Sequence, residues 1–206
     1  MFHMKTVSIG PIWIEYISTV LNNGKWVHDD REEILETLPI VFTIKEFEDS
    51  QCILAKYAER HVIDTYTEKI FSKDIIKELN SSYGARLFAN LGVNQIALVV
   101  DKLKANPWAK SCFVPLVIPN DPGPRIPCLS ALQIALRDDA VQFYATFRSQ
   151  NAFNSYGNFI GIRALQNMVA EKLEHKAGDI HFFVNFPHIY KSDVDKVKNI
   201  VSEYLD

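Results

Sequence analysis

The chain has 206 residues, with 48% hydrophobic and 12% aromatic side chains, enough for an ordinary core and too many for a disordered chain. Its 22 Lys and Arg against 25 Asp and Glu give a formal charge of −3, which excludes a sequence-independent nucleic-acid binder but leaves room for a local basic pocket. Three widely spaced cysteines exclude a disulfide framework or zinc site, and no apolar run approaches the ~20 residues of a membrane span.

The opening lacks the long apolar stretch of a signal peptide, so a single cytoplasmic domain over residues 1–206 is expected. Residues 11–21 carry Ile14, Ile17, Val20 and Leu21 at helical spacing, and Asn22-Asn23-Gly24 is a stop. Residues 26–36 are polar and read as a loop, whereas 38–44 (LPIVFTI) read as a strand. From 46 to 79 the pattern is helical with a break near 61–67. Residues 93–104 form a clear amphipathic helix, ended at Asn106-Pro107 because the residue before proline avoids the helical region. A strand at 111–118 is flawed by Pro115, which cannot donate to a ladder. After a turn-rich loop at 120–127, strands at 128–136 and 140–147 meet at Arg137-Asp138-Asp139. A helix at 157–173, a strand at 180–186 and an amphipathic helix at 192–204 complete the chain. Helices flanking a group of mostly consecutive strands make this an α+β protein rather than a strict βαβ alternation.

Cys128 opens a strand with Arg125 and Arg148 nearby in sequence pattern, and cations favour the nucleophilic thiolate over the thiol. A buried structural cysteine is the competing reading, and it is the one that suits Cys52 and Cys112. Arg148-Ser149 leaves a strand into a polar loop, which suits bidentate capture of a phosphate as well as a solvated strand end. His188 and Tyr190, at i and i+2 of a strand, share one face, where they bind a sugar hydroxyl or cap a core.

In order along the chain, NQIALVVDKLKANPWAKSCFVPLVIP, RIPCLSALQ, FRSQNAFNSYGNFIGIRALQNMVAEKL and GDIHFFVNFPHIYKSDVDKV resemble the thymidylate synthase family, which includes the pyrimidine hydroxymethylases. Coverage is good from 83 to 197 and weaker before, where WIEYISTVLNNG followed by DDR is similar to the opening helix and arginine loop. The resemblance implies the family's α+β fold, with a mixed sheet and flanking helices. It also implies that Cys128 attacks C6 of a pyrimidine nucleoside monophosphate, so that C5 takes a one-carbon unit from methylene-tetrahydrofolate. Arg148, Ser149 and Arg31 would hold the phosphate, Asn158 would read the base edge, and His188 and Tyr190 would hold the sugar hydroxyl. Tyr83 would order water for proton transfer, and Gln133 would support the loop of the nucleophile. Lys110 stands where a partner subunit's arginine completes the phosphate site, which implies a homodimer.

The sequence departs from the family in particular places. Leu129 replaces the histidine after the nucleophile, Phe147 replaces a glutamine, and Asn151 replaces the aspartate that contacts folate. Counting from Leu38-Pro39 to the family's catalytic glutamate reaches Leu54, so Glu48, or Glu59, takes that role only across a gap. The sequence ends at Asp206 without the proline-containing tail that closes over folate. Two classes therefore stay open: an enzyme making a methyl or hydroxymethyl pyrimidine nucleotide, and a nucleotide-binding member that has lost catalysis.

Overall fold

The computed structural model describes residues 1–4, 6–29, 32–49, 51–74, 82–117 and 126–205; Arg31 and Arg125 lie outside the described residues. After β1 (Phe2–His3), α1 (Ile9–Asn23) fulfils the helix expected at 11–21 and buries Ile12, Trp13, Tyr16, Ile17 and Val20 along one side. The stretch read as a loop is instead a hairpin, β2 (Lys25–His28) and β3 (Glu33–Glu36). All of β2 is exposed, so its polar composition is that of an edge strand, and only Ile34 and Leu35 of β3 are buried. Next, β4 (Ile40–Ile44) alternates buried and half-buried residues as the sequence pattern requires.

The helical stretch that follows breaks at Ala58-Glu59, not at 61–67, giving α2 (Ile53–Tyr57) and α3 (Arg60–Phe71). Glu59 is extended (φ −87°, ψ 120°) and starts α3, which then runs unbroken through the β-branched residues Val62, Ile63 and Thr65. Two further helices are α4 (Tyr83–Ala89), capped by Ser82, and α5 (Gln95–Ala105), capped by Asn94 and ending at Asn106 as expected.

β5 (Phe113–Pro115) lies at a sheet edge, where Pro115 owes no donor to a neighbour. β6 (Leu129–Arg137) and β7 (Ala140–Phe147) pair as a hairpin. Asp138 and Asp139 both take positive φ (50° and 59°), as a two-residue turn between twisted strands demands. Then come β8 (Gln150–Asn151), α6 (Ser155–Leu173), β9 (Lys176–Val184), β10 (Pro187–Tyr190) and α7 (Val194–Leu205). α6 is the crossover that lets β9 return parallel to β7.

The strands form a six-stranded mixed sheet, β1-β4-β9-β7-β6-β5, and a four-stranded sheet, β2-β3-β10-β8. Phe42, Phe143, Phe147, Phe182 and Val184 line the inner face of the larger sheet and are buried with α1 and α6 residues such as Tyr16 and Phe159. The architecture is α+β with flanking helices, as expected. Among the described residues no helix is long and apolar enough to cross a membrane.

Candidate active site

The hairpin register creates the centre of the site. Leu129 pairs with Phe147, so the residue before β6 and the residue after β7 come together: Arg148 N–H donates to the Cys128 carbonyl at 2.9 Å. The guanidinium then turns along the chain toward the sulfur. Nε donates to the Pro127 carbonyl at 3.2 Å, Nη2 to the Ile126 carbonyl at 2.7 Å, and Nη2 lies 3.9 Å from Cys128 Sγ. Cys128 is half-buried, Cys112 is fully buried with its thiol pushed up by desolvation, and Cys52 is exposed. The expectation of an inert apolar setting thus holds for Cys112 and fails for Cys52, whose backbone starts α2 in the left-handed region (φ 53°) at the surface.

Ser149 and β10 form the next wall. His188 Nδ1 lies 3.2 Å from the Phe186 carbonyl and 3.4 Å from Ser149 Oγ. A carbonyl only accepts, so this geometry assigns the proton to Nδ1 and leaves Nε2 an acceptor. Nε2 is buried with no partner, and desolvation lowers the His188 pKa below its ordinary 6.5. Tyr190 stands edge-on to His188 at 5.1 Å, on the same strand face. Asn158, in the first turns of α6, is 5% exposed, and its Oδ1 is also buried without a partner. Buried polar atoms are rarely left unpaired, so two such acceptors in residues independently singled out from sequence are able to accept a ligand's donors.

Tyr83 closes the floor. Its phenol oxygen accepts from Leu129 N–H at 3.4 Å, next to Cys128 in the chain, and burial raises its pKa well above 10.0. The following Gly84 is required by close packing, since a Cβ there would overlap the Ser72 carbonyl and lie 2.7 Å from the Phe71 carbonyl carbon. Two residues not singled out from sequence also belong here, Tyr66 and Lys69 of α3. Burial, aided by the charge of Cys128, pushes Tyr66 up to about 12. Lys69 holds its ammonium 4.3 Å over the Tyr83 ring, and burial lowers its pKa against the opposing pull of Cys128. The signal was their i, i+3 spacing on one helical face, obscured by reading 61–67 as a break.

Other candidates lie elsewhere. Lys110 is exposed beyond α5, and Gln133 directs its amide to the Lys110 carbonyl at 3.0 Å instead of to the nucleophile's loop. Arg31 lies outside the described residues. Glu48 is exposed and follows the end of β4 at which Ile44 pairs with Ile180, and Ile180 with Phe143. That is four residues, about 13 Å, along the sheet from the Phe147–Leu129 end that carries Cys128. Glu48 is therefore not part of this cluster, because β4 delivers it to the wrong end of the sheet. Glu59 lies nearer, its N–H donating to the Tyr156 phenol oxygen at 3.1 Å, but its carboxylate is engaged by Lys196. Among the described residues no three His, Cys, Asp or Glu side chains group to hold a metal ion.

Comparison with known proteins agrees with this geometry. Residues 12–204 match the family model for thymidylate synthase. A "Putative thymidylate synthase" of Methanosarcina mazei is 28% identical over 212 residues, covering 96% of this chain and 94% of that protein. One of the same description from Methanosarcina barkeri is 26% identical, with the same coverage, and one from Methanocaldococcus jannaschii is 25% identical over 100% of this chain and 98% of its own. With its fold, its Cys128–Arg148 pair and a family match across nearly the whole sequence, the chain belongs to the thymidylate synthase family.

Proposed function

We propose that this protein transfers a one-carbon unit to C5 of a pyrimidine nucleoside monophosphate, with Cys128 adding to C6 and methylene-tetrahydrofolate as cosubstrate. The observation that carries the reading is the Arg148 guanidinium, held by two backbone carbonyls with Nη2 3.9 Å from Cys128 Sγ. Its positive charge favours the anionic nucleophile and remains near enough to a bound phosphate to serve both. Ser149 supports the phosphate, the free Oδ1 of Asn158 accepts from N3–H of a uracil ring, and the free Nε2 of His188 accepts from a sugar hydroxyl. The methylene group comes from the folate. Asn151 stands where the family has an aspartate; its Oδ1 accepts from Phe153 N–H at 3.0 Å, and burial raises the pKa of Asp193 against the lowering influence of Asn151.

The homodimer expected from the resemblance is supported by the larger sheet. Among the described residues no helix covers its outer face, which carries Phe113, Gln133, Tyr144, His181 and Phe183; Phe113 is 56% and Phe183 43% exposed. A homodimer formed on this face would bring Lys110, held beside Gln133, toward the partner's site. Sedimentation showing only monomer at micromolar concentration would count against the dimer.

Release of tritium from C5-labelled dUMP, dCMP or CMP in the presence of methylene-tetrahydrofolate tests the reaction, and chromatography of the product separates methyl from hydroxymethyl. Release that disappears in Cys128→Ser is expected; no release from any of the three overturns the reading. A nucleotide-binding role without catalysis is favoured by one observation: among the described residues no unengaged carboxylate joins Cys128. That alternative gives saturable nucleotide binding with no release.

A further inference from the structure

The lysines with a described ion pair lie at the surface: Lys45, Lys56, Lys191, Lys196 and Lys198 each face a carboxylate. Lys69 differs. It is half-buried, its ammonium lies over the faces of Tyr83 (4.3 Å) and Tyr66 (5.6 Å), and among the described residues no carboxylate pairs with it. Aromatic faces attract a cation but do not replace its hydration. The last turn of α3 adds the negative end of a helix dipole, which favours the charged form. Burial lowers the Lys69 pKa, and the opposing influence that raises it comes from Cys128. A merely snorkelling lysine would send its amine to solvent; this one sends it over two rings, of which Tyr83 reaches the residue after Cys128 through its bond from Leu129 N–H.

We propose that Lys69 is a second cation of the reaction centre, facing both the Cys128 sulfur and the enolate formed when that sulfur adds to C6 of a 4-oxopyrimidine. The inference rests on the one-carbon-transfer reading. In the addition a sulfur lone pair makes the S–C6 bond, and the C5=C6 π pair moves to C5 and is shared with the C4 carbonyl oxygen. No proton moves, so the charge that leaves sulfur reappears on the ring. A cation confined to the sulfur would hold the nucleophile back, whereas one reaching the ring follows the charge. Arg148 is tied at the strand end by the Ile126 and Pro127 carbonyls; Lys69 arrives from α3 on a flexible stem.

The test is the rate at which Cys128 forms a covalent adduct with C5-fluorinated dUMP and methylene-tetrahydrofolate, followed by intact-chain mass. Calorimetry of dUMP and deoxyuridine is run on each variant. Lys69→Met and Lys69→Gln should slow adduct formation by about 10²–10³-fold, the loss typical of a removed oxyanion partner, while dUMP affinity changes little. Lys69→Arg should recover much of the rate, which a packing role would not allow. Wild-type adduct rates in the neutral variants would overturn the proposal, as would Arg and Met variants that are equally slow. Loss of dUMP affinity without loss of deoxyuridine affinity would assign Lys69 to the phosphate and overturn it too. No adduct in the wild-type protein would instead remove the one-carbon-transfer reading itself.

Discussion

The contact between α3 and α6 can be tested with one methyl group. At Gly157 an added Cβ would lie 2.9 Å from Tyr66 Cγ, 3.0 Å from Tyr66 Cβ and 3.2 Å from Cδ2. Carbon atoms rest at about 3.5–4.0 Å, so the overlap is at least half an ångström. Rotating the Tyr66 ring cannot relieve it, because Tyr66 Cβ is fixed to the α3 backbone; the helix must move. Two effects of opposite sign compete in Gly157→Ala. Alanine gains about 0.8–1 kcal/mol over glycine inside a helix, whereas overpacking costs about 1–3 kcal/mol. The net is a loss of about 0–2 kcal/mol, which for a chain of this length lowers Tm by about 0–8 °C. Function should suffer far more, since a shift of α3 displaces Tyr66 and Lys69 from Cys128, and a 1 Å misplacement costs ~10²-fold in rate. Differential scanning fluorimetry and the adduct assay measure both. In a Tyr66→Ala background the same substitution should turn neutral or stabilising, because the clash is gone while the propensity gain remains. A Tm that rises in the single variant with an unchanged adduct rate would refute the tight α3–α6 contact.

Stability should fall with acid through His188. Burial lowers its folded pKa below the ordinary 6.5, so as pH drops through 6.5 the unfolded chain takes up the proton first and gains population; the loss stops growing below the folded value. His188→Gln should flatten this part of a Tm-against-pH curve, and an unchanged curve would contradict the assignment. Iodoacetamide should label Cys128 and exposed Cys52 but not buried Cys112, with a pyrimidine nucleotide protecting Cys128 alone, as peptide mass mapping would reveal. Asn158→Asp should shift the dUMP-to-dCMP affinity ratio toward cytosine by roughly 5- to 150-fold, the equivalent of ~1–3 kcal/mol for one mispaired buried group; equal affinities of the wild-type protein for both would sink the base-reading role. Gln166→Leu should cost about 1–3 kcal/mol, because its amide serves the Val141, Gly178 and Asp179 carbonyls, while nucleotide affinity stays as it is.

Legibility of the sequence followed the physics of each element. Strands with strict alternation, such as β4 and β7, and helices with caps and stops, such as α1 and α5, could be read because their local pattern and their packing agree. β2 and β3 could not, since an exposed hairpin owes its existence to pairing with β10 rather than to its own apolar pattern. The continuous α3 was hidden for the opposite reason. Its β-branched centre has modest helix propensity and is held by packing on the glycines of α6, a contact ninety residues away in sequence. Cys128, Arg148, Asn158 and His188 were visible as an ordered set of motifs. The partnerless state of Asn158 Oδ1 and His188 Nε2 was not, because satisfaction of a hydrogen bond is a property of the packed interior.

The same topology explains the charge of the site. Cys128, Arg148 and Ser149 gather where β6 begins and β7 ends, and His188 and Ser149 join β10 to that rim. β4 runs antiparallel to β9, so it exits at the far end and carries Glu48 away. The acids that do come near are committed elsewhere, Glu59 to Lys196 and Asp193 to Asn151. Among the described residues the charge beside the sulfur is cationic, Arg148 from the strand end, with Lys69 over the Tyr83 ring as the proposed second cation. A chain with a net charge of −3 thus builds a pocket of the opposite sign, and it does so by where the strands end rather than by composition. Such a pocket favours every anion the proposed reaction presents, the phosphate on entry, the thiolate at attack and the enolate that follows.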